Sequence, residues 1–102
     1  MRIFIAGPYG DHNPKHIIAR NVERADRVAR DLMAQGHQVY CAHKMSWGWE
    51  DDKRLSHEQF IALDMSYLHH WAEAICRIPG ESPGADGEMA EAKKLGLPEL
   101  RP

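Results

Sequence analysis

The sequence predicts an α/β fold of three layers, with helices on both faces of a small parallel sheet. Short apolar runs alternate with amphipathic helical stretches along the 102 residues, and the connections between them are short. This alternation favours parallel strands joined by helical crossovers. We expect three main strands, and a short fourth could follow the last helix. Residues 1–102 should form one domain.

The first strand and the first helix have clear sequence signals. Residues 1–6 are nearly all apolar and end at the turn 7–10, Gly-Pro-Tyr-Gly, as expected of a buried parallel strand. Asn13 offers a helix cap, Pro14 suits a first helical turn, and Gly36 suits a helix end. Between them, apolar residues recur at spacings of four and three, as on one helix face: Ile18, Val22, Ala25, Ala29 and Leu32.

The middle of the chain repeats the strand–helix–strand order. Residues 38–42 form the second predicted strand and residues 74–78 the third. Ser56, followed three residues later by Gln59, is a capping-box pattern, and the helix it opens should run to about Trp71. Arg77 places a charge within the third strand, which favours an edge position for that strand.

The last helix follows a turn rich in glycine and proline at residues 79–87. Ser82 occupies the expected cap position, Gly96 the expected end, and residues 97–100 could form the short fourth strand. The apolar face of this helix would consist of Ala85, Met89, Ala92 and Leu95. Together these elements predict a flavodoxin-like architecture, with a small parallel sheet between two layers of helices.

Composition limits the classes of function. The chain has 43% hydrophobic and 27% charged residues and a net charge of −2, which argues against binding of a nucleic acid polymer. Cys41 and Cys76 are expected to be buried thiols, not a disulfide. The apolar run at residues 3–6 is too short for a signal sequence or a membrane span, so we expect a cytoplasmic protein without a membrane partner. A chain of this size gains stability from self-association, which favours a homodimer or a larger oligomer.

A binding site is expected at one edge of the sheet. In open parallel sheets, ligands bind beyond the carboxyl ends of the strands, where the strand order reverses. The turns 7–10 and 79–87 both follow strands and should meet at that edge. The start of the last helix there would present unpaired N–H groups and a partial positive charge, which suit an anion.

Two carboxylates are expected to point into this cleft. Asp64 interrupts the apolar arc of the middle helix, where burial without a partner would be costly. That arc consists of Phe60, Leu63, Tyr67, Leu68 and Trp71. Glu88 falls on the inward edge of the last helix, whereas Glu91 and Lys94 should face outward. Two converging carboxylates are typical of a nucleophile with an acid or base partner.

The chain resembles the nucleoside 2-deoxyribosyltransferase superfamily, which includes the deoxynucleoside-monophosphate N-glycosidases and short bacterial and phage relatives. The similarity extends over nearly the whole chain, and its most specific part is the segment Ser-x-Gly-Ala-x-x-Glu at residues 82–88. The matching residues are Ile5, Ala6, Gly7, Pro8, Tyr9, Asp64, Leu68, Pro79, Gly80, Ser82, Gly84, Ala85, Glu88, Ala92 and Gly96.

The resemblance implies an enzyme that acts on N-glycosidic bonds without a cofactor. Glu88 would attack the anomeric carbon of the sugar, and Asp64 would assist departure of the base. Tyr9 would line the deoxyribose, and Ser82 would bind the 5′ end. Gly7, Gly84 and Ala85 would complete the substrate-binding set. Such cleavage passes through an oxocarbenium-like state that a carboxylate stabilises and can trap.

Departures from the family pattern leave the choice between hydrolase and transferase open, and they also admit a member without turnover. Family members commonly carry an acidic residue just ahead of the third strand, and this chain has Ala72 there, followed by Glu73. The rival function is a nucleotide-binding module without catalysis. A redox flavoprotein is disfavoured, because the turn 7–10 lacks the Ser/Thr-rich phosphate loop of flavodoxins.

Each candidate residue also has a purely structural interpretation. Glu88 could provide a favourable charge near a helix start, and Asp64 could form an ion pair with an arginine. Ser82 could serve only as a helix cap, and Tyr9 could pack in the core.

Other polar and aromatic groups are less informative. Trp47 and Trp49 could stack on a base, but such residues more often cover a small core. His12 and His16 have the spacing of metal ligands without a third partner, so no metal site is expected. Three arginines on the first helix are most simply interpreted as part of a solvated surface: Arg20, Arg24 and Arg27.

Overall fold

The computed structural model describes residues 1–10 and 13–102. His12, and with it the predicted His12/His16 pair, lies outside the described residues. The elements along the chain are β1 (Arg2–Ala6), α1 (Lys15–Ala34), β2 (Gln38–Cys41), α2 (Ala42–Met45), α3 (His57–His70), β3 (Ala74–Arg77), α4 (Pro83–Lys94) and β4 (Glu99–Leu100). No helix in this part of the chain is long and apolar enough to cross a membrane.

The four strands form one parallel sheet in the order β2-β1-β3-β4. Ile3 of β1 pairs with Val39 of β2 on one side and with Ala74 of β3 on the other. The strand order therefore reverses between β1 and β3. The turns that follow these two strands leave the sheet side by side, at the edge where the sequence predicts a binding site.

Helices cover both faces of this sheet, which confirms the predicted three-layer α/β fold. Alternate residues of β1 point to opposite faces, so Ile3 and Ile5 belong to one buried cluster and Phe4 and Ala6 to another. The first cluster packs against α1, and the second packs against α3 and α4. All five residues of the predicted α1 face are buried: Ile18, Val22, Ala25, Ala29 and Leu32.

The start of α3 agrees with its sequence signal, whereas the start of α1 differs from the prediction. Ser56 accepts a hydrogen bond from the Gln59 backbone N–H at 3.2 Å, and the Gln59 side chain accepts one from the Ser56 N–H at 2.7 Å, so the capping box is confirmed. Pro14 has an extended ψ of 149° and occupies the N-cap itself, one position earlier than predicted. Asn13 therefore does not cap α1; its backbone N–H donates to the Gly10 carbonyl oxygen at 2.8 Å.

Three expectations about the sheet and α4 are corrected. β3 is an interior strand, because the two-residue β4 pairs with its Ile75 and Cys76. Arg77 is tolerated there because it lies at the carboxyl end of β3, beyond the last residue that pairs with β4. Leu95 is 40% exposed, because it lies at the C-cap of α4, past the turn that contacts the sheet. Residue 42 begins the short helix α2 instead of ending β2.

Both cysteines are buried free thiols, as predicted. Burial raises the pKa of the Cys76 thiol to about 11 and also raises the pKa of Cys41. Both side chains therefore remain neutral thiols that pack as small apolar groups in the core.

Candidate active site

The turns after β1 and β3 pack against each other so closely that glycine is required in both. A Cβ at Gly7 would lie 2.9 Å from the Ile78 Cβ, and a Cβ at Gly80 would lie 2.6 Å from the Pro8 Cγ. Gly80 also has a φ of +132°, a conformation that L side chains rarely adopt. The predicted meeting of the two turns is therefore present, and it is made by backbone in direct contact.

Polar side chains from α1 and α2 hold these turns. The Asn21 side-chain amide donates to the Tyr9 carbonyl oxygen at 3.1 Å, and the His43 Nε2 donates to the Pro8 carbonyl oxygen at 2.9 Å. Arg24 donates to the Pro79 carbonyl oxygen. Arg24 is thus a structural part of the cleft and not only a solvated surface group, which corrects its interpretation from the sequence.

Arg77 organises the turn that leads into α4. Its guanidinium donates to the Gly80 carbonyl oxygen and to the Asp86 Oδ1, each at 2.9 Å, and it also bonds the Ile78 carbonyl oxygen. Its side chain is only 15% exposed. A nearly buried positive charge therefore lies next to the beginning of α4.

Asp64 is half-buried on α3 and accepts a hydrogen bond from the Tyr40 hydroxyl at 3.2 Å. Burial raises the pKa of Asp64 to about 6, and the Tyr40 bond acts in the opposite direction. The Asp64 carboxylate therefore has a neutral phenol as its partner. Among the described residues, no arginine forms an ion pair with Asp64, so the structural alternative of an Asp64–arginine pair is not supported.

Glu88 is half-buried on α4, and its charge interacts with that of Asp64. Burial and the Asp64 carboxylate raise the pKa of Glu88 to about 8, while Arg77 lowers it. The acidic residue in the first turn of α4 is Asp86, and Glu88 lies further along. A simple favourable charge at the helix start is therefore a poor account of Glu88, since its environment disfavours ionisation.

Tyr9 lies on the side of the cleft formed by α2 and the loop after it. Its ring contacts His43 and Trp47 edge to face, with centroids 5.7 and 6.3 Å apart. The Tyr9 hydroxyl and the His43 Nδ1 are buried without a hydrogen-bond partner in the described chain. Among the same residues, no hydrogen bond joins Tyr9 to Asp64 or Glu88. The contacts of Tyr9 are therefore with α1, α2 and the loop after α2, and not with the carboxyl pair.

The cap of α4 is as the sequence predicts. The Ser82 Oγ accepts a hydrogen bond from the Ala85 backbone N–H at 3.1 Å, and Ala85 is buried. Gly84 faces open space, since a Cβ there would meet nothing within 4 Å. The packing of this chain alone therefore gives no reason for glycine at position 84.

Other features lie away from this cleft. Glu73 accepts a hydrogen bond from the Arg2 backbone N–H at 2.9 Å, at the opposite edge of the sheet, so its role is structural. Glu91, expected to face outward, is only partly exposed and pairs with His69 at 3.0 Å.

A groove of about 350 Å³ lies between α4 and β4 and is lined by Ile75, Met89, Ala90, Ala92, Lys93, Leu97 and Glu99. Within residues 1–10 and 13–102, no three His, Cys, Asp or Glu side chains cluster as metal ligands would.

Sequence reasoning did not find two residues of the cleft, Tyr40 and His43. Tyr40 lies on the same sheet face as Phe4, and the alternation along β2 could have assigned it there. His43 is only 6% exposed and holds the Pro8 carbonyl, a contact between residues 35 positions apart that no local pattern signals.

The cleft thus combines two interacting carboxyl groups with the two contacting turns at residues 7–10 and 79–87 (the double turn), at the carboxyl edge of a flavodoxin-like sheet. The chain belongs to the family "Domain of unknown function (DUF7768)", whose sequence profile matches residues 1–101. No curated protein matches the sequence. Among solved structures, the fold is similar to that of the 2-deoxyribosyltransferase from the psychrotolerant bacterium Bacillus psychrosaccharolyticus. The TM-score is 0.68 and the identity 23%, over 99% of this chain and 71% of that chain.

Proposed function

We propose that this protein is an enzyme of the nucleoside 2-deoxyribosyltransferase superfamily. It would cleave, or transfer at, the N-glycosidic bond of a (deoxy)nucleoside or a nucleoside 5′-monophosphate. The observation that carries the proposal is the interacting carboxyl pair Asp64 and Glu88, half-buried beside the double turn. The 2-deoxyribosyltransferase fold of the similar structure supports the same chemistry.

The two pKa values suit a reaction that needs one nucleophile and one acid. At a pH between about 6 and about 8, the two carboxyl groups together carry a single proton. In the empty site this proton resides chiefly on Glu88. For Glu88 to attack, its proton must pass to Asp64. The sugar would then receive an ionised nucleophile and the base a protonated acid, as in a retaining glycosidase.

The bond changes balance as follows. A Glu88 carboxylate oxygen forms a bond to the anomeric carbon, the carbon–nitrogen bond breaks, and its electron pair stays on the base. The base takes the proton held by Asp64. Attack on the resulting sugar ester by water would complete a hydrolysis, and attack by a second base would complete a transfer.

The surroundings of the pair favour an anionic 5′ end on the substrate. Arg24 and Arg77 bring two guanidinium groups to the turn before α4, and the start of a helix attracts negative charge. In this proposal Ser82, Gly84 and Ala85 bind the 5′ end, while Gly7 and Tyr9 line the deoxyribose.

The test is release of free base from a panel of nucleosides and nucleoside 5′-monophosphates, followed by liquid chromatography. We expect release from at least one deoxynucleotide, and Glu88→Gln should lower it by at least about 10³-fold, a scale set by loss of the nucleophile. Glu81→Gln, an exposed residue of the same turn, is the matched control and should retain full activity. Binding of nucleotides without any base release would instead support the non-catalytic binding module.

A further inference from the structure

Tyr40 is a buried phenol that the proposed reaction does not use. It lies on β2 and is 7% exposed, and its hydroxyl donates to the Asp64 Oδ1 at 3.2 Å. The two residues come from different layers of the fold, 24 positions apart. A side chain that reaches from the sheet to a candidate catalytic carboxylate is well placed to control it.

The ring of Tyr40 is held in one orientation by its neighbours. It stacks on Tyr67 with centroids 3.8 Å apart and an angle of 9° between the planes. Phe4 contacts it from the strand β1 at 5.5 Å, and Trp71 supports Tyr67 from the edge at 6.1 Å. Because the ring cannot swing away, the hydroxyl is fixed as a donor towards Asp64.

The titratable and charged groups around the Tyr40–Asp64 contact come from β3, from α4 and from α3 itself. Glu88 faces it from α4, and Arg77 acts on Glu88 from the end of β3. Tyr67 of α3 is a second phenol, and it stacks on Tyr40. Burial and the neighbouring carboxylates raise the pKa of Tyr40 far above neutrality, so its hydroxyl keeps its proton and remains a donor. Its hydrogen bond favours the ionised form of Asp64, against the effect of burial.

We propose that Tyr40 is a positioning residue that orients Asp64 and keeps it ionised in the empty site, so that the single proton of the pair stays on Glu88 until substrate binds. This inference rests on the proposed function. The proton leaves the Glu88 carboxyl group, which becomes the nucleophilic carboxylate, and it arrives on Asp64, which later gives it to the departing base. Without the phenol, the single proton of the pair would move from Glu88 towards Asp64.

The test is a comparison of Tyr40→Phe with Tyr67→Phe in the full chain. Carbon-detected NMR titration of the side-chain carboxyl groups reads Asp64 directly, without any substrate. Loss of the hydrogen bond should raise the pKa of Asp64 by about one or more in Tyr40→Phe and lower that of Glu88. Tyr67→Phe removes the stacked neighbour's hydroxyl and should leave both values within about 0.3, since no described hydrogen bond joins it to Asp64.

The kinetic readout separates positioning from packing. In Tyr40→Phe, the pH dependence of kcat should change with little change in KM, because the substitution alters the titration of Asp64. The acidic limb of the kcat profile should move to higher pH by as much as the NMR value moves. A fluorinated tyrosine at position 40, which is a stronger donor of similar size, should move Asp64 and this limb the opposite way.

Two outcomes would overturn the inference. One is an unchanged Asp64 titration in Tyr40→Phe, or in the fluorinated protein should Tyr40→Phe not fold. The other is an active Tyr40→Phe enzyme with an unshifted pH profile. Failure of the wild-type protein to release base from any substrate would refute the proposed function instead, and the NMR titration would still decide whether Tyr40 sets the charge of Asp64.

Discussion

Glu88 should make the fold less stable as the pH rises, and removing its charge should reverse this effect. The pKa of Glu88 rises from an ordinary 4.5 to about 8. The neutral form therefore favours the folded state. Its contribution to stability is fully present below about 4.5 and is lost as the pH rises through about 8. Glu88→Gln keeps the shape of the side chain and cannot ionise.

The size of the effect follows from the gap between the two pKa values. One pH unit of separation corresponds to about 1.36 kcal/mol, so a gap of about 3.5 gives an upper limit of about 5 kcal/mol. Solvent screening at this half-buried position reduces the expected free energy of unfolding gained by Glu88→Gln at pH 9 to about 2 kcal/mol. For a domain of this size, that gain raises Tm by roughly 8–16 °C.

The assay is thermal unfolding followed by circular dichroism from pH 4.5 to pH 9. Wild type and Glu88→Gln should unfold at nearly the same temperature at pH 4.5, and the two curves should diverge as the pH rises. Glu81→Gln, which removes an exposed carboxylate from the same turn, should follow wild type throughout. A Glu88→Gln difference that is flat with pH, or a variant that is less stable at pH 9, would refute this account of Glu88.

Three further predictions concern the site and its surroundings. Asp64→Asn should abolish base release with little loss of Tm, or with a gain from relief of a strained site; unchanged turnover would exclude its catalytic role. Gly80→Ala should lower the free energy of unfolding in urea by about 2 kcal/mol or more, because its Cβ would lie 2.6 Å from Pro8 at a φ of +132°. An unchanged free energy of unfolding would contradict the requirement for glycine at this position. Sedimentation equilibrium at micromolar concentration should show at least a dimer, with Trp47 and Trp49, 46% and 43% exposed, near the interface. A fully active monomer would contradict that assembly.

The layout of the fold could be predicted because its signals are local and periodic. The spacing of Ile18 through Leu32 identified every buried residue of α1, and the capping box at Ser56 located the start of α3. The predictions that failed concern features that depend on contacts with other segments or on very short elements. Arg77 suggested an edge strand because the sequence does not show how far β4 extends, and the four-residue α2 is too short for a periodic signal.

The site could be predicted only in part. Asp64 was conspicuous as a carboxylate within an apolar arc, and its raised pKa agrees with the expected desolvation. Tyr40 and His43 could not be predicted as residues of the cleft, because their polar contacts join residues 24 and 35 positions apart. The sequence places each of these residues on its own element, but only the packed layers determine which atoms they contact.

The most direct test of the central claim is to trap the sugar on the enzyme. A deoxynucleotide analogue with fluorine at the sugar 2′ carbon slows breakdown of a glycosyl ester, so an intermediate should accumulate and be detected by intact-protein mass spectrometry. Peptide mapping should then locate the added sugar on Glu88, with the adduct absent in Glu88→Gln and present in Glu81→Gln. Base release at the wild-type rate from Glu88→Gln, or an adduct on Asp64, would contradict the assignment of Glu88 as the nucleophile.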